Sequence, residues 1–285
     1  MANETMYGVE DALSMNEGVG SWSDLKYRLI QYYGRLFTKS MRGKWKGLVY
    51  VDLYAGAGQS RVKGTGEILL GSPLIALSLD VQFDQYIFCE QDLTKLEALK
   101  ARVARLFPTA NVTFIHGDCN VQIDNILKRI QRNTLGLCFI DPYDLGIQFE
   151  TIRKLADYRL DLLCLLALHM DANRAYSRYI KASSTKVDLF VGTADWRSEW
   201  DAIVKAKKDF AIFLAVYFAK RMESLGFKET PTHTMHLVRT DDTNVPKYHL
   251  ALFSRDSLAY KFWEDVRKYS TDQRGFAFPP ISTDS

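Results

Sequence analysis

Long apolar runs are missing from this 285-residue chain. None reaches the roughly 18 residues of a membrane-spanning helix, so no membrane partner is expected. The first twenty residues have no basic stretch followed by an apolar one, so a secretory signal is not expected either. Cysteine is scarce: Cys89, Cys119, Cys138 and Cys164 are the four present, and no two lie within four positions of each other. That spacing excludes the usual zinc and redox motifs. Cys89, Cys138 and Cys164 sit inside apolar runs and read as buried free thiols of a reducing, cytoplasmic protein. Histidine is scarcer than lysine. His233 and His236 make an H-x-x-H, but in a strand that spacing points them to opposite faces, and no metal site is expected. Charge of one sign is also lacking. The net charge of +3 argues neither for nor against a nucleic-acid partner. No internal repeat or low-complexity segment occurs.

What is present is an alternation. Residues 1–20 are small, acidic and glycine-bearing and read as a loose tail, with 21–285 as a single domain. Trp22 to about Met41 has helical periodicity through Leu25, Leu29, Tyr32, Tyr33 and Leu36. Five strand–helix units follow. Their strands end in GLVYVD, YIFCEQD, VTFIHGD, LGLCFIDPY and DLLCLLAL. QSRVKGTGEILLG, after the first strand, reads as a loop or small hairpin. Ser72 and Pro73 read as the N-cap and first residue of a helix. The strands are continuously apolar, as expected when both faces of a parallel sheet are covered. Met170–Trp200 breaks the rhythm and reads as a helical insertion, about 170–204, capping the open end of the sheet. Lys205–Leu225 reads as a long helix. Met235–Thr240 and Tyr248–Arg255 read as an antiparallel hairpin, and Leu258–Tyr269 as a closing helix. The expected fold is α/β and Rossmann-like: a mostly parallel seven-stranded sheet with a C-terminal antiparallel hairpin.

The first strand runs into Asp52-Leu53-Tyr54-Ala55-Gly56-Ala57-Gly58. Glycines there allow a sharp turn and close approach of a ligand to the backbone. The dinucleotide fingerprint G-x-G-x-x-G fails because Arg61 takes its third glycine position, and no phosphate-binding Gly-Lys-Ser/Thr follows. An acidic residue before A-G-x-G suits a ligand with a cationic amino-acid end and no phosphate, such as S-adenosylmethionine. Asp52 is then expected to face its charged region, with Tyr54, Ala55, Gly56 and Gly58 forming the loop around it. Glu90 ends the second strand, where a carboxylate takes ribose hydroxyls. Asp118, with Cys119 beside it, ends the third, where the carboxylate can accept from the adenine amino group. Each acid alone is equally a solvated strand end. Their repetition at consecutive strand ends favours a site.

The fourth strand ends in Asp141-Pro142-Tyr143. An aromatic amine delocalises its lone pair. A carboxylate and a backbone carbonyl that accept its two N–H bonds favour the tetrahedral form that can attack a methyl group. The proline fixes the turn, and a ring can stack on the base and hold it. Asp-Pro is also a common turn starter. The seven prolines include none before a cysteine, so the Pro-Cys nucleophile of cytosine-C5 methylation is missing.

The Asp52–Gly58 loop, Glu90, Asp118 and Asp141-Pro142-Tyr143 resemble the motifs of class I S-adenosylmethionine-dependent methyltransferases. From Trp22 to Phe262-Trp263, about nine-tenths of the chain resembles the bacterial three-Cys-motif partner family. The matching stretches are YVDLYAGAGQS, GEILLGSPLIAL, FIDPYDL, ANR, LFVGTADW and YHLALFSRDSLAYKFWEDV. The resemblance implies a methyltransferase-like protein working beside a cysteine-motif partner protein that carries the three cysteines, with Lys26 near the cofactor. The chain departs from the Asp/Asn-Pro-Pro-aromatic motif of amino-methylating enzymes by having one proline, so Tyr143 arrives one residue early.

Seven basic residues between Lys26 and Lys46 are interleaved with Tyr27, Tyr32, Tyr33, Phe37 and Trp45. Such a segment can track phosphates and stack bases, or it is an amphipathic helix with a solvated basic face. Asn173 and Arg174 follow the fifth strand. Arg174 suits a substrate phosphate or carboxylate, or a structural ion pair. His169 follows the same strand end and reads as a polar neighbour of Asp141, or as a core or surface residue. The expected function is transfer of a methyl group to an amino group, with a nucleic-acid base as the favoured acceptor. The alternative is a non-catalytic partner protein that keeps the fold.

Overall fold

The computed structural model describes residues 11–20, 22–204, 209–240 and 243–272. The expected tail at 1–10, the start of the Lys205 helix at 205–208 and the segment FAFPPISTDS lie outside the described residues. Ten strands are described: β1 (Asn16–Val19), β2 (Gly47–Asp52), β3 (Gln59–Val62), β4 (Ile68–Leu70), β5 (Gln85–Glu90), β6 (Val112–His116), β7 (Thr134–Ile140), β8 (Leu160–Leu166), β9 (His236–Arg239) and β10 (Pro246–Phe253). The N-terminal helix is α1 (Trp22–Met41). Helices α2 (Ser72–Leu77), α3 (Leu93–Leu106), α4 (Cys119–Arg129) and α5 (Phe149–Leu155) follow strands of the sheet. The insertion holds α6 (Tyr176–Tyr179), α7 (Lys186–Val191) and α8 (Trp196–Ile203). The chain then runs through α9 (Phe210–Glu223) to α10 (Ser257–Asp272).

The main sheet has seven strands in the order β6-β5-β2-β7-β8-β10-β9. Strands β6 to β8 run parallel in register, for instance Asp52 beside Phe88 and Phe139. Only β10 runs antiparallel to its neighbours, pairing Phe253 with Leu162 and Leu250 with His236. This is the strand order and direction of the Rossmann-like class I methyltransferase fold. The apolar strands divide their side chains between two cores. Val49, Val51, Ile140 and Leu162 face α4, α5 and α7–α9. Leu48, Tyr50, Phe139 and Leu163 face α1–α3 and α10. Burial on both faces explains why these strands show no polar alternation. All four cysteines are buried and free, as their apolar settings predict. No helix among the described residues is long and apolar enough to cross a membrane.

Three local expectations change. Residues 11–20 are not a loose tail. β1 pairs in parallel with β3, which pairs with β4 as the hairpin read from the sequence. The segment is tied down by Arg102, which is fully buried on α3. Its guanidinium donates to the Asp11 carboxylate at 2.6 Å and to the carbonyls of Ser14 and Ala57 at 2.7 and 2.6 Å. A short polar segment carries no periodicity that would reveal such an anchor. The cap of α2 falls on Gly71, with Ser72 inside the helix and no side chain capping it. The insertion does more than cover the open end of the sheet. Trp196 and Trp200 are buried in the core with Phe210, at ring distances of 5.7 and 5.0 Å.

Candidate active site

A cavity of about 960 Å³ opens along the carboxyl ends of β6, β5, β2, β7 and β8 and reaches β10. In a doubly wound sheet this is where ligands bind, since the loops after the strands splay apart there. Its volume is at the top of the ~300–1,000 Å³ range of small-molecule sites.

The β2 loop forms its floor. Gly56 has φ +62° and Gly58 φ +79°, the left-handed region that glycine occupies without cost. A Cβ on Gly56 would come 2.6 Å from the Asn16 amide nitrogen, so the N-terminal strand lies directly against the loop. Tyr54, Ala55 and Gly56 line the cavity, as read from the sequence. Gly58 does not. It turns inward, where a Cβ would meet Leu99 at 2.7 Å, and its carbonyl accepts from the Gly71 amide at 2.8 Å. Asp52 does not line the cavity either. It is fully buried beneath the loop. It accepts from the Tyr54 amide at 3.2 Å and the Tyr50 hydroxyl at 3.4 Å. Burial pushes its carboxyl up to about 7, against the lowering by the Ser72 and Tyr54 hydrogen bonds. A carboxylate at the very end of a central strand is covered by its own loop, so Asp52 shapes the site from below.

Glu90 lines the cavity and accepts from the Gly56 amide at 2.7 Å and the Asp92 amide at 2.8 Å. A carboxylate has about four lone-pair sites, so two remain for a ligand. Asp118 lines the cavity while capping α4 through the Asn120 amide at 2.8 Å. Cys119 lines it as well, and burial raises its thiol to about 11, which keeps it protonated and inert.

Asp141, Pro142 and Tyr143 line the other half. Lys26 reaches in from α1 and donates to Asp141 Oδ2 at 2.6 Å, with side-chain exposures of 11% and 18%. Burial alone would lower the lysine, but the Asp141 charge overrides it and raises it well above the ordinary range. Tyr143 stands at the mouth of the cavity. Its ring is 73% exposed at the mouth, with the Lys95 ammonium 5.9 Å from its centroid.

Asn173 and Arg174 do not line the cavity. The Asn173 side chain accepts from the Ala211 amide at 3.1 Å at the start of α9, and Arg174 is exposed. His169 packs against His249 at 5.3 Å, away from Asp141. Five of the seven basic residues from 26 to 46 are in ion pairs. Besides Lys26, Arg28 pairs with Asp24, Arg35 and Lys39 share Asp80, and Arg42 takes Asp84. The amphipathic-helix reading of that segment therefore describes it better than a phosphate track. Among the described residues no three metal-ligating side chains come together.

Sequence reasoning missed several lining residues: Asn16 in the supposed tail, Lys186 and Leu189 on α7, and Tyr248 on β10. Asn16 and Lys186 carry no motif, and Leu189 and Tyr248 stand in matching stretches, LFVGTADW and YHLALFSRDSLAYKFWEDV, from which no site role was read. Lys186 pairs with Asp144 at 2.8 Å across the rim. The acids lining the cavity are Glu90, Asp92, Asp118, Asp141 and Asp144, against Lys26, Lys95 and Lys186. Two of those lysines are already bound to two of those acids. The unpaired balance is acidic, which disfavours a polyphosphate and suits a cationic ligand.

No family model matches the chain, and no curated protein matches it. Solved structures do. A DUF519-family protein from Legionella pneumophila aligns at a TM-score of 0.51 and 13% identity, covering 88% of this chain and 93% of that one. Trm1 from Pyrococcus horikoshii, solved with S-adenosyl-L-methionine, aligns at 0.46 and 8%, over 91% of this chain. This chain spans 61% of the Trm1 chain. TYW2 from M. jannaschii, solved with AdoMet, aligns at 0.37 and 11%, covering 78% of this chain and 77% of that one. At these identities the likeness is one of fold alone.

Proposed function

We propose that this chain is an S-adenosylmethionine-dependent methyltransferase acting on an amino group, with a nucleic-acid base as the acceptor. The observation that carries the reading is the shared cavity. The Gly56 loop, Glu90 and Asp118 line one half, and Asp141 with Pro142 lines the other.

The residues present fit the cofactor. Glu90 keeps acceptor capacity for two ribose hydroxyls after serving two backbone amides. The acidic lining suits a sulfonium and an ammonium, and it argues against a dinucleotide. Trm1 and TYW2 were solved with the same compound. When bound, the cofactor supplies an electrophilic methyl group. The chain's own residues would do the rest. Asp141 Oδ1, with no partner among the described residues, accepts one N–H of the acceptor. The Pro142 carbonyl accepts the other. Lys26, 2.6 Å from Oδ2, holds Asp141 in orientation. Its ammonium also repels a cationic acceptor, which selects neutral aromatic amines over protonated aliphatic ones.

Calorimetric titration with S-adenosylhomocysteine tests the cofactor half. Binding weakened about 10- to 100-fold by Glu90→Gln is expected, as one charged hydrogen-bond acceptor is worth ~1.5–3 kcal/mol. A folded protein that binds no S-adenosylhomocysteine would remove the reading.

A second reading is a methyltransferase-fold partner of a cysteine-motif protein, as the sequence resemblance implies. It is favoured by the exposed apolar side chains at the mouth, Tyr143 at 73% and Leu189 at 47%. Co-purification with such a protein, together with absent transfer by either chain alone, would select it.

A further inference from the structure

Tyr248 stands on β10 opposite Val238, and its neighbour His249 stands opposite Leu166 at the end of β8. The ring is only 2% exposed and lines the acceptor half of the cavity. Its hydroxyl has no hydrogen-bond partner among the described residues. Other buried tyrosines nearby are paired. The Tyr27 hydroxyl meets Ser60 at 3.1 Å, Tyr33 donates to Asp161 at 2.9 Å, and Tyr50 reaches Asp52 at 3.4 Å. A buried hydroxyl without a partner costs about 1–3 kcal/mol. Phenylalanine would fill the same space without that penalty. A ligand that draws the hydroxyl, closed to solvent in this structure, into the cavity removes it.

The surroundings limit what that ligand presents. Lys26 and Asp141 line the same half, and Asp141 has one oxygen engaged and one open. Burial raises the phenol further above its ordinary range, with Lys26 lowering and Asp141 raising it. The hydroxyl therefore stays protonated and can donate. An acceptor carboxylate oxygen and a donor hydroxyl lining one half of the cavity match a donor–acceptor edge. In adenine and cytosine the amino group is flanked by an unprotonated ring nitrogen, N1 or N3 respectively.

Resting on the amino-methyltransferase reading, the geometry points to Tyr248 as a specificity-determining residue. Its hydroxyl donates to the ring nitrogen beside the amino group that Asp141 accepts from, so the pair reads the amidine edge of adenine or cytosine. Tyr248 does not touch the transferred methyl group. It fixes which ring enters and how it is turned.

The test uses the full chain saturated with S-adenosylhomocysteine. Binding is measured by fluorescence anisotropy to a short single-stranded oligonucleotide with one adenine or cytosine. The counterpart carries 1-deazaadenine or 3-deazacytosine, which keeps the amino group and loses the ring acceptor. The wild type is expected to prefer one parent base over its deaza counterpart by about tenfold, the upper range for a neutral hydrogen bond. Tyr248→Phe is expected to erase that preference by weakening the parent alone. Equal binding of parent and deaza base by the wild type overturns the inference. So does a variant that weakens both equally, which marks a role in shape only. Unchanged S-adenosylhomocysteine affinity in the variant shows an intact site. A wild type that binds S-adenosylhomocysteine but neither oligonucleotide sinks this inference and leaves the cofactor site standing. A wild type that does not bind S-adenosylhomocysteine removes both.

Discussion

At the β5–β6 end of the cavity, carboxylates serve backbone amides of the strand-end loops. Glu90 holds the amides of Gly56 and Asp92, and Asp118 caps α4. At the β7–β10 end, Asp141 is held by the side chain of Lys26, 115 positions away, and Tyr248 is held by nothing polar. The first half is built from bonds to backbone amides, which survive changes of the donor's side chain. The second is built from long-range side-chain pairing in a nearly dry setting. Preformed backbone geometry suits a ligand that is always the same. A half with one open carboxylate oxygen and one open hydroxyl suits a ligand that must be chosen.

The sharpest way to break that contrast is Asp141→Ala. It leaves the Lys26 ammonium buried without its counter-charge, and losing one partner of a buried pair costs about 3–5 kcal/mol. Urea unfolding should register that loss, and methyl transfer should disappear. Replacing both members, with Lys26→Met and Asp141→Leu, should restore most of the stability and none of the transfer. A single-variant loss below about 1 kcal/mol would mean that water already screens the pair, and the two halves would not differ in kind.

The same contrast explains what was legible in the sequence. The sheet was readable because apolar runs such as LGLCFI (Leu135–Ile140) are continuous only when both faces are covered. The hairpin of β9 and β10 and the buried thiols followed from similar local signals. In the site, Gly56, Glu90, Asp118 and Asp141 were readable because glycine turns and acids recur at strand ends. Asp52 was misplaced for a physical reason. Position along the strand indicates its end, but not whether the loop folds over the last side chain. Lys26 reached attention only through the family resemblance. Tyr248 looked like one more apolar residue in YHLALF, since it shares a face with Leu250 and Leu252. Asn16 sat in a segment whose order depends on Arg102, an arginine that by composition belongs on a helix surface.

Arg102→Met probes the one place where the cofactor half depends on a distant side chain. The guanidinium binds Asp11, Ser14 and the loop carbonyl of Ala57. Its removal takes one of two arginine partners from a carboxylate that is 10% exposed, with Arg105 left at 2.9 Å, and should cost about 1.5–3 kcal/mol, the worth of a hydrogen bond to a charged group. Proteolysis should then cut within residues 11–20, and S-adenosylhomocysteine should bind more weakly as the Asn16 wall leaves Gly56. A variant with full affinity would show that the N-terminal strand is dispensable to the loop.

Asp52 gives the floor of the cavity a pH signature. Its folded value of about 7 lies above the model-peptide 3.8. The folded state therefore binds its proton more tightly than the unfolded chain. That contribution is complete below about pH 4 and is lost as pH rises through 7. Asp161, raised to about 6 chiefly by burial, acts in the same direction. Asp52→Asn isolates the first group. Between pH 4 and 7 the wild type should lose up to about 1.4 kcal/mol per pH unit relative to the variant. Parallel stability curves would place Asp52 in a wetter setting than its complete burial indicates.

The smallest effect is expected on α1. Reversing Arg35, Lys39 and Arg42 would turn a phosphate track into an acidic face, and nucleic-acid affinity and its salt slope would both fall. In this fold those cations already face Asp80 and Asp84 at 2.7–3.2 Å, so few are left to release counterions from a nucleic acid. Arg35→Gln, Lys39→Gln and Arg42→Gln together should change oligonucleotide affinity less than twofold and leave its salt dependence unaltered. A stability loss of about 1 kcal/mol or less is expected, because exposed pairs contribute little. A clear drop in the salt slope would mean that the acids release their partners when nucleic acid arrives. Recognition would then extend from the acceptor half of the cavity along the whole outer face of α1.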